Sequence, residues 1–128
     1  MAKILVVEDE KQIADMVSFK LSNVGHKVVR ASDGEQVMAL AARELPDLIL
    51  LDVMLPGLSG FEVLRRLKGD STLRSVPVIM VTAKGHERDV LSGLHGGAVD
   101  YVVKPFSLKE LSARVELALR KEPPATAS

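Results

Sequence analysis

Six side chains stand at or just past the ends of short apolar runs, where they could act together: Glu8, Asp9 and Glu10 after Ile4–Val7, Asp52 after Leu48–Leu51, Thr82 after Val76–Val81, and Lys104 after Val99–Val103. Carboxylates that converge repel one another unless a cation intervenes. An all-oxygen donor set suits a hard divalent ion such as Mg²⁺ or Mn²⁺. With a hydroxyl and an ammonium opposite, the chemistry is that of a small acidic metal pocket. Each residue also has a plainer reading. Acidic residues favour the first turn of a helix, a threonine after a strand is commonly a loop or capping residue, a lysine before proline is commonly solvated, and Asp52 could cap a turn. The shared position at four separate strand ends favours the pocket.

The runs themselves say what must position these groups. Five are visible: Ile4–Val7, Lys27–Ala31, Leu48–Leu51, Val76–Val81 and Val99–Val103. The first, third and fourth are nearly continuous in Ile, Leu and Val, as expected of strands buried on both faces of a parallel sheet. The second, K-V-V-R-A, is mixed and reads as an edge strand. Helical segments lie between them, over about 11–23, 34–44, 59–69, 86–95 and 107–121. The first places Ile13, Met16, Val17 and Leu21 on one face and stops at Gly25. Ser32 and Glu35, Ser59 and Glu62, and Ser107 and Glu110 each have capping-box spacing. The fourth segment carries Gly93 and closes on Gly96-Gly97, so it should be the least firmly held helix, at roughly 1 kcal/mol per interior glycine. Five alternations of strand and helix predict an α/β fold, a doubly wound parallel sheet with helices on both faces. Ligands of such sheets bind at the carboxyl ends of the strands.

Composition narrows the class. The chain has 128 residues, 47% hydrophobic and 27% charged, enough for one core. The absence of cysteine excludes disulfides and thiolate metal sites. The apolar run near the N-terminus is too short for a signal peptide, and no run approaches the ~18–20 residues of a membrane span. A soluble cytoplasmic protein is therefore predicted. A net charge of zero argues against general nucleic-acid affinity. So does the lack of stacking platforms, with no Trp, one Tyr and three Phe. Acidic groups collect early: residues 1–64 hold 6 Lys/Arg and 10 Asp/Glu, residues 65–128 hold 11 and 7. A domain over 1–121 is expected, with 122–128 a flexible tail or the start of a linker.

The motifs V-V-E-D-E, L-L-D-V-M-L-P-G-L-S-G, V-T-A and G-A-V-D-Y-V-V-K-P-F, in this order over residues 3–121, resemble the receiver domain of bacterial two-component response regulators. The resemblance implies a flavodoxin-like (βα)5 fold whose five-stranded parallel sheet has the order 2-1-3-4-5. It implies that Asp52 accepts a phosphoryl group from the phosphohistidine of a sensor histidine kinase or phosphotransfer protein. Asp9 and Asp52 would bind Mg²⁺ directly, with the backbone carbonyl of Met54 and with Glu8 acting through water. Lys104 would pair with phosphoryl oxygens, Thr82 would hydrogen-bond to one, and Tyr101 would be the rotameric switch. The Lys104–Pro105 bond would be cis. Met54 and Lys84 occupy positions that tune hydrolysis of the acyl phosphate, and a slow rate is expected. Such a protein catalyses its own phosphotransfer and autodephosphorylation and is a switch, not a turnover enzyme.

Output would pass through the surface of helix four, strand five and helix five. The segment G-L-x-x-G-A-x-D-Y…K-P-F-S-x-K-E-L-x-A-R-V resembles receivers of the subfamily with winged-helix effectors, which pair through this face. Asp100, Glu110, Arg114 and Lys121 match; Val99 and Val90 stand where charged residues are usual. A phosphorylation-dependent homodimer is thus expected, with no direct nucleic-acid or membrane contact by this domain. Kinase pairing would use Lys11, Gln12, Asp15 and Phe106–Ser107. Binding of FMN is disfavoured because Glu8-Asp9-Glu10 would repel its phosphate. A haloacid-dehalogenase-type phosphatase would need D-x-D-x-T after the first strand, which is absent. A pseudo-receiver would lack part of the set Asp9, Asp52, Thr82 and Lys104.

Overall fold

The computed structural model of the chain describes residues 1–83 and 96–120. The helix expected over 86–95, with Lys84 and Val90, lies outside the described residues, as do Lys121 and the 122–128 tail. The elements run β1 (Lys3–Val7), α1 (Lys11–Asn23), β2 (Lys27–Ala31), a 3₁₀ turn (Gly34–Gln36), α2 (Val37–Glu44), β3 (Leu48–Asp52), α3 (Gly60–Lys68), β4 (Val78–Ala83), β5 (Asp100–Lys104) and a helix over Leu108–Arg120. All five strands are parallel, in the order β2-β1-β3-β4-β5.

Alternation along the strands divides the interior into two layers. Leu5, Val7, Ile49, Leu51 and Met80 face α2 and α3, packing on Val37, Ala41, Val63, Leu64 and Leu67. Ile4, Val6, Leu48, Leu50, Ile79 and Val102 face the other way, onto Val17 and Leu21 of α1 and Leu111 and Val115 of the last described helix. Both sets are apolar because both faces are covered, which is what the unbroken Ile/Leu/Val runs require. Every residue of β3 is buried, including its terminal carboxylate. Burial of each such aliphatic side chain contributes roughly 1.5–3 kcal/mol, so β3 carries Asp52 on a firmly packed support. The mixed strand β2 lies at the edge, as its composition predicts.

Several local expectations shift. The fourth strand starts and ends two residues later than its apolar run, and the fifth one later, so Thr82 and Lys104 belong to strands instead of following them. The cap of the second helical segment is Asp33, not Ser32: Asp33 Oδ1 accepts from Gln36 N at 3.1 Å, and Gln36 Oε1 accepts from Ser32 N at 2.9 Å. Asp33 opens a 3₁₀ turn before α2, and Gln36 reaches back past the cap to the preceding N–H. Ser59 and Ser107 do cap their helices, accepting from Glu62 N and Glu110 N. Met16 is 51% exposed instead of joining the core; Ala14, outside the predicted face, is buried with Val17 and Leu21. Helix α1 stops as predicted at Gly25 (φ +102°), where Gly25 N donates to Ser22 O and His26 N to Leu21 O.

Candidate functional site

Strand register gathers the chemistry on one rim. Val7 is level with Leu51, Asp52 with Val81, Thr82 with Val103 and Ala83 with Lys104. One residue past Val7, Glu8 therefore lies beside Asp52. The carboxylate of Asp52 is almost fully buried, at 2% exposure for the residue. Its Oδ1 accepts from Met54 N at 2.9 Å, and its Oδ2 accepts from Lys104 Nζ at 2.7 Å. Glu8, also buried, accepts from Glu10 N through Oε2 at 3.1 Å, and its Oε1 lies 3.1 Å from Lys104 Nζ. Glu10 Oε1 takes a third contact with the same ammonium at 3.3 Å. Asp9 is exposed, yet Glu8, Asp9 and Asp52 each offer an oxygen within 4.8 Å of the others.

The electrostatics follow from crowding. Burial, then the hydrogen bond and charge of Asp52, push the Glu8 carboxyl up to about 7. Burial lowers the Lys104 ammonium, but the Asp52 and Glu8 carboxylates outweigh it and raise the group above the ordinary lysine value. Among the described residues, the Lys104 ammonium contacts three carboxylates, Glu8, Glu10 and Asp52, and Asp9 adds a fourth beside Glu8 and Asp52. That excess of negative charge, with oxygen donors alone, fits a hard divalent cation. Glu8, Asp9 and Asp52 can each offer such an ion a carboxylate oxygen.

The loop after Asp52 is held by backbone contacts. Gly60 N donates to Val53 O at 2.8 Å, and a Cβ on Gly60 would meet Asp52 O at 2.3 Å. Across from it, Gly34 N donates to Pro56 O, and a Cβ on Gly34 would meet Leu58 O at 2.5 Å. Met54 itself is 65% exposed at the mouth. Thr82 is 2% exposed, in the interior of the same rim. The Lys104–Pro105 bond is cis.

Other predicted residues lie away from this cluster. Tyr101 is buried, packed with Leu51, Met80 and Ala98. Beyond it, Asp100 and Glu110 both pair with Arg114 within the chain, at 2.8 Å and 3.3 Å. Val99, Val103 and Leu117 are exposed. On the opposite side of β5, Ile13, Met16, Val17, Lys104, Pro105, Phe106 and Leu108 line a cleft of about 290 Å³. Lys11 pairs with Asp15, which also pairs with Arg30; Gln12 and Ser107 are exposed nearby.

Two charged or polar residues make contacts that their spacing in the sequence does not announce, Glu10 at the site and His26 at the opposite end of the strands. Glu10 belongs to the acidic run, but nothing in its spacing says that it reaches Lys104. His26 is buried, its Nδ1 accepting from Ala2 N and its Nε2 paired with Glu116 of the last described helix. That arrangement ties two layers together, and only the close approach of residues 90 apart reveals it.

Comparison with known proteins agrees with this geometry. A family model described as the response regulator receiver domain matches residues 4–116. The phosphate regulon transcriptional regulatory protein PhoB of Escherichia coli is 48% identical over 122 residues, covering 95% of this chain and 53% of that protein. The alkaline phosphatase synthesis transcriptional regulatory protein PhoP of Bacillus subtilis is 47% identical over 119 residues, covering 93% and 49%. The chain thus spans about half the length of these curated relatives. Among solved structures, the beryllofluoride-activated N-terminal receiver domain of Klebsiella pneumoniae RstA superposes with a TM-score of 0.86 at 34% identity, covering 93% of this chain and 99% of that one.

Proposed function

Because the chain belongs to the response regulator receiver domain family, whose members are signalling proteins and not conventional turnover enzymes, we propose that Asp52 is its phosphoacceptor. The observation that carries this reading is the Lys104–Asp52 contact of 2.7 Å at the centre of a carboxylate cluster. An Asp52 oxygen attacks the phosphorus of a phosphohistidine on a sensor kinase or phosphotransfer protein. The P–N bond breaks, the imidazole leaves with its electron pair and takes a proton from water, and an aspartyl phosphate remains. Water later attacks the same phosphorus, the P–O bond to Asp52 breaks, and inorganic phosphate departs. Backbone rigidity holds the nucleophile in line, and Lys104 pairs with the phosphoryl oxygens as their charge develops. A divalent cation, Mg²⁺ or Mn²⁺, supplies further positive charge when bound, held by Asp9, Asp52 and the Met54 carbonyl, with Glu8 acting through water.

Incubation with acetyl phosphate and Mg²⁺ is expected to add one phosphoryl group, seen as a mass increase that chelator prevents. Asp52→Asn should abolish it. Labelling that persists in Asp52→Asn would overturn the assignment.

The acyl phosphate adds nearly two negative charges and new acceptor oxygens. Thr82 hydrogen-bonds to one of them and Tyr101 repositions its ring, shifting the population of two states of the adjoining surface. Met54 brings no group that can orient water, and with Lys84 it favours a long-lived phosphoryl group. Met54→Asn is expected to shorten its half-life several-fold in a phosphate-release assay; an unchanged half-life removes Met54 from this role.

The receiver extends over 1–121 and works in the cytoplasm, controlling a partner or an effector, in keeping with relatives named as transcriptional regulators. The cleft between α1 and the loop after β5, with Lys11, Gln12, Asp15, Phe106 and Ser107 around it, receives the kinase. Phosphorylation favours a homodimer through Val99, Asp100, Glu110 and Arg114, together with Val90 and Lys121. Arg114 then exchanges partners within the chain for partners on the second copy. Surface ion pairs of this kind set specificity more than affinity. Sedimentation with beryllofluoride should show the dimer, and a strictly monomeric activated form would sink this part of the reading.

A further inference from the structure

Glu10 occupies the N-cap of α1, where a carboxylate ordinarily accepts from the free N–H groups of the first turn. Its side chain makes no such bond. It turns back over the rim, and Oε1 lies 3.3 Å from Lys104 Nζ. The nearest cation in sequence, Lys11, is engaged instead by Asp15 at 3.0 Å. A lysine ammonium has three hydrogens, and three carboxylates claim them: Asp52 at 2.7 Å, Glu8 at 3.1 Å and Glu10 at 3.3 Å. A phosphoryl oxygen can therefore reach Lys104 only if one of these contacts is given up. The Asp52 and Glu8 side chains are 3% and 5% exposed, whereas Glu10 is 62% exposed. Water can replace what Glu10 releases, so its contact is the one that yields at least cost.

We propose that Glu10 is a resting-state latch on Lys104, holding the ammonium within the acidic rim until an arriving phosphoryl group displaces it. Glu10 is thus a positioning residue that sets how readily the site captures a phosphoryl group. The role rests on the reading of Asp52 as phosphoacceptor.

Two measurements test it. In metal-free protein, the rate of reductive methylation of Lys104, followed site by site by mass spectrometry, should rise about threefold in Glu10→Gln, the scale of one exposed ion pair. Glu10→Asp keeps the charge but shortens the reach, and it should behave like Glu10→Gln. Glu35→Gln, an exposed carboxylate removed elsewhere, should leave the rate unchanged. In saturating Mg²⁺, half-saturation by beryllofluoride should fall about threefold in both Glu10 variants. Glu10 variants that match the unsubstituted protein in both measurements overturn the latch. An effect of Glu10→Gln that is absent from Glu10→Asp also overturns it, because charge without contact would then suffice. If the unsubstituted protein fails to bind beryllofluoride, the phosphoacceptor reading falls, and the metal-free methylation rates still decide whether Glu10 holds Lys104.

Discussion

Gly60→Ala is expected to lower the stability of the protein by about 3 kcal/mol or more, and to slow the labelling of Asp52 in whatever folded fraction remains. A Cβ at this position would lie 2.3 Å from Asp52 O and 2.7 Å from Val53 Cα. Both obstacles are backbone, so no rotamer change relieves them. Helix α3 must move away from the end of β3, and the 2.8 Å bond from Gly60 N to Val53 O must lengthen or break. Overpacking of this kind typically costs ~1–3 kcal/mol, and a buried hydrogen bond lost with it adds roughly 1 kcal/mol. For a domain of this size the combined loss lowers the midpoint of thermal unfolding by roughly 10 °C or more. The same displacement carries Met54 away from Asp52, whose Oδ1 accepts from Met54 N. Thermal unfolding and acetyl phosphate labelling, measured on the same preparation, check both effects. A fully stable Gly60→Ala protein would show that the turn yields where its geometry says it cannot.

In the absence of metal, the protein should lose stability as pH rises through about 7, and Glu8→Gln should remove that loss. The Glu8 carboxyl is pushed up to about 7 in the folded chain from 4.5, by burial first and then by Asp52. A raised carboxyl holds its proton in the folded state after the unfolded chain has released it. Its contribution is therefore complete below pH 4.5 and is lost between 4.5 and 7. At 1.36 kcal/mol per pH unit the loss is about 3 kcal/mol. Gln keeps the shape without the charge, so the difference between the two proteins, followed by unfolding in chelator from pH 5 to 8, isolates Glu8 from other carboxylates. Asp15, Glu44 and Glu62 are held low by neighbouring cations, so their slopes, of the opposite sign, fall mainly below pH 4.5 and are common to both proteins. Divalent cation should restore stability at pH 8 and bind more weakly below pH 7, where the proton competes. Equal slopes in the two proteins would show that Glu8 is not the titrating group.

Much of this protein can be read directly from its residues. The unbroken apolar runs at Ile4–Val7 and Leu48–Leu51 require strands covered on both faces, because such side chains cannot face water in number. Alternation with helical segments then requires a parallel doubly wound sheet, and the polar residues that end the runs must share its carboxyl rim. Residue type and strand period thus place Asp9, Asp52, Thr82 and Lys104 on one rim, and make Gly25 a helix stop.

Other features depend on distances between residues far apart in the chain, and no local pattern encodes them. Strand register, set by packing across the whole sheet, puts Glu8 beside Asp52 and raises its proton affinity. Competition for one ammonium diverts Glu10 from its helix to Lys104. His26 meets Glu116 across two layers, and Arg114 finds Asp100 and Glu110 within its own chain. Asp33, and not Ser32, caps the turn into α2, beside the place where Gly34 lies against Leu58. Residue type and period decide which groups can do chemistry and on which edge they stand. Their partners and charge states are decided by tertiary packing, because Coulomb and steric energies vary steeply over a few ångströms.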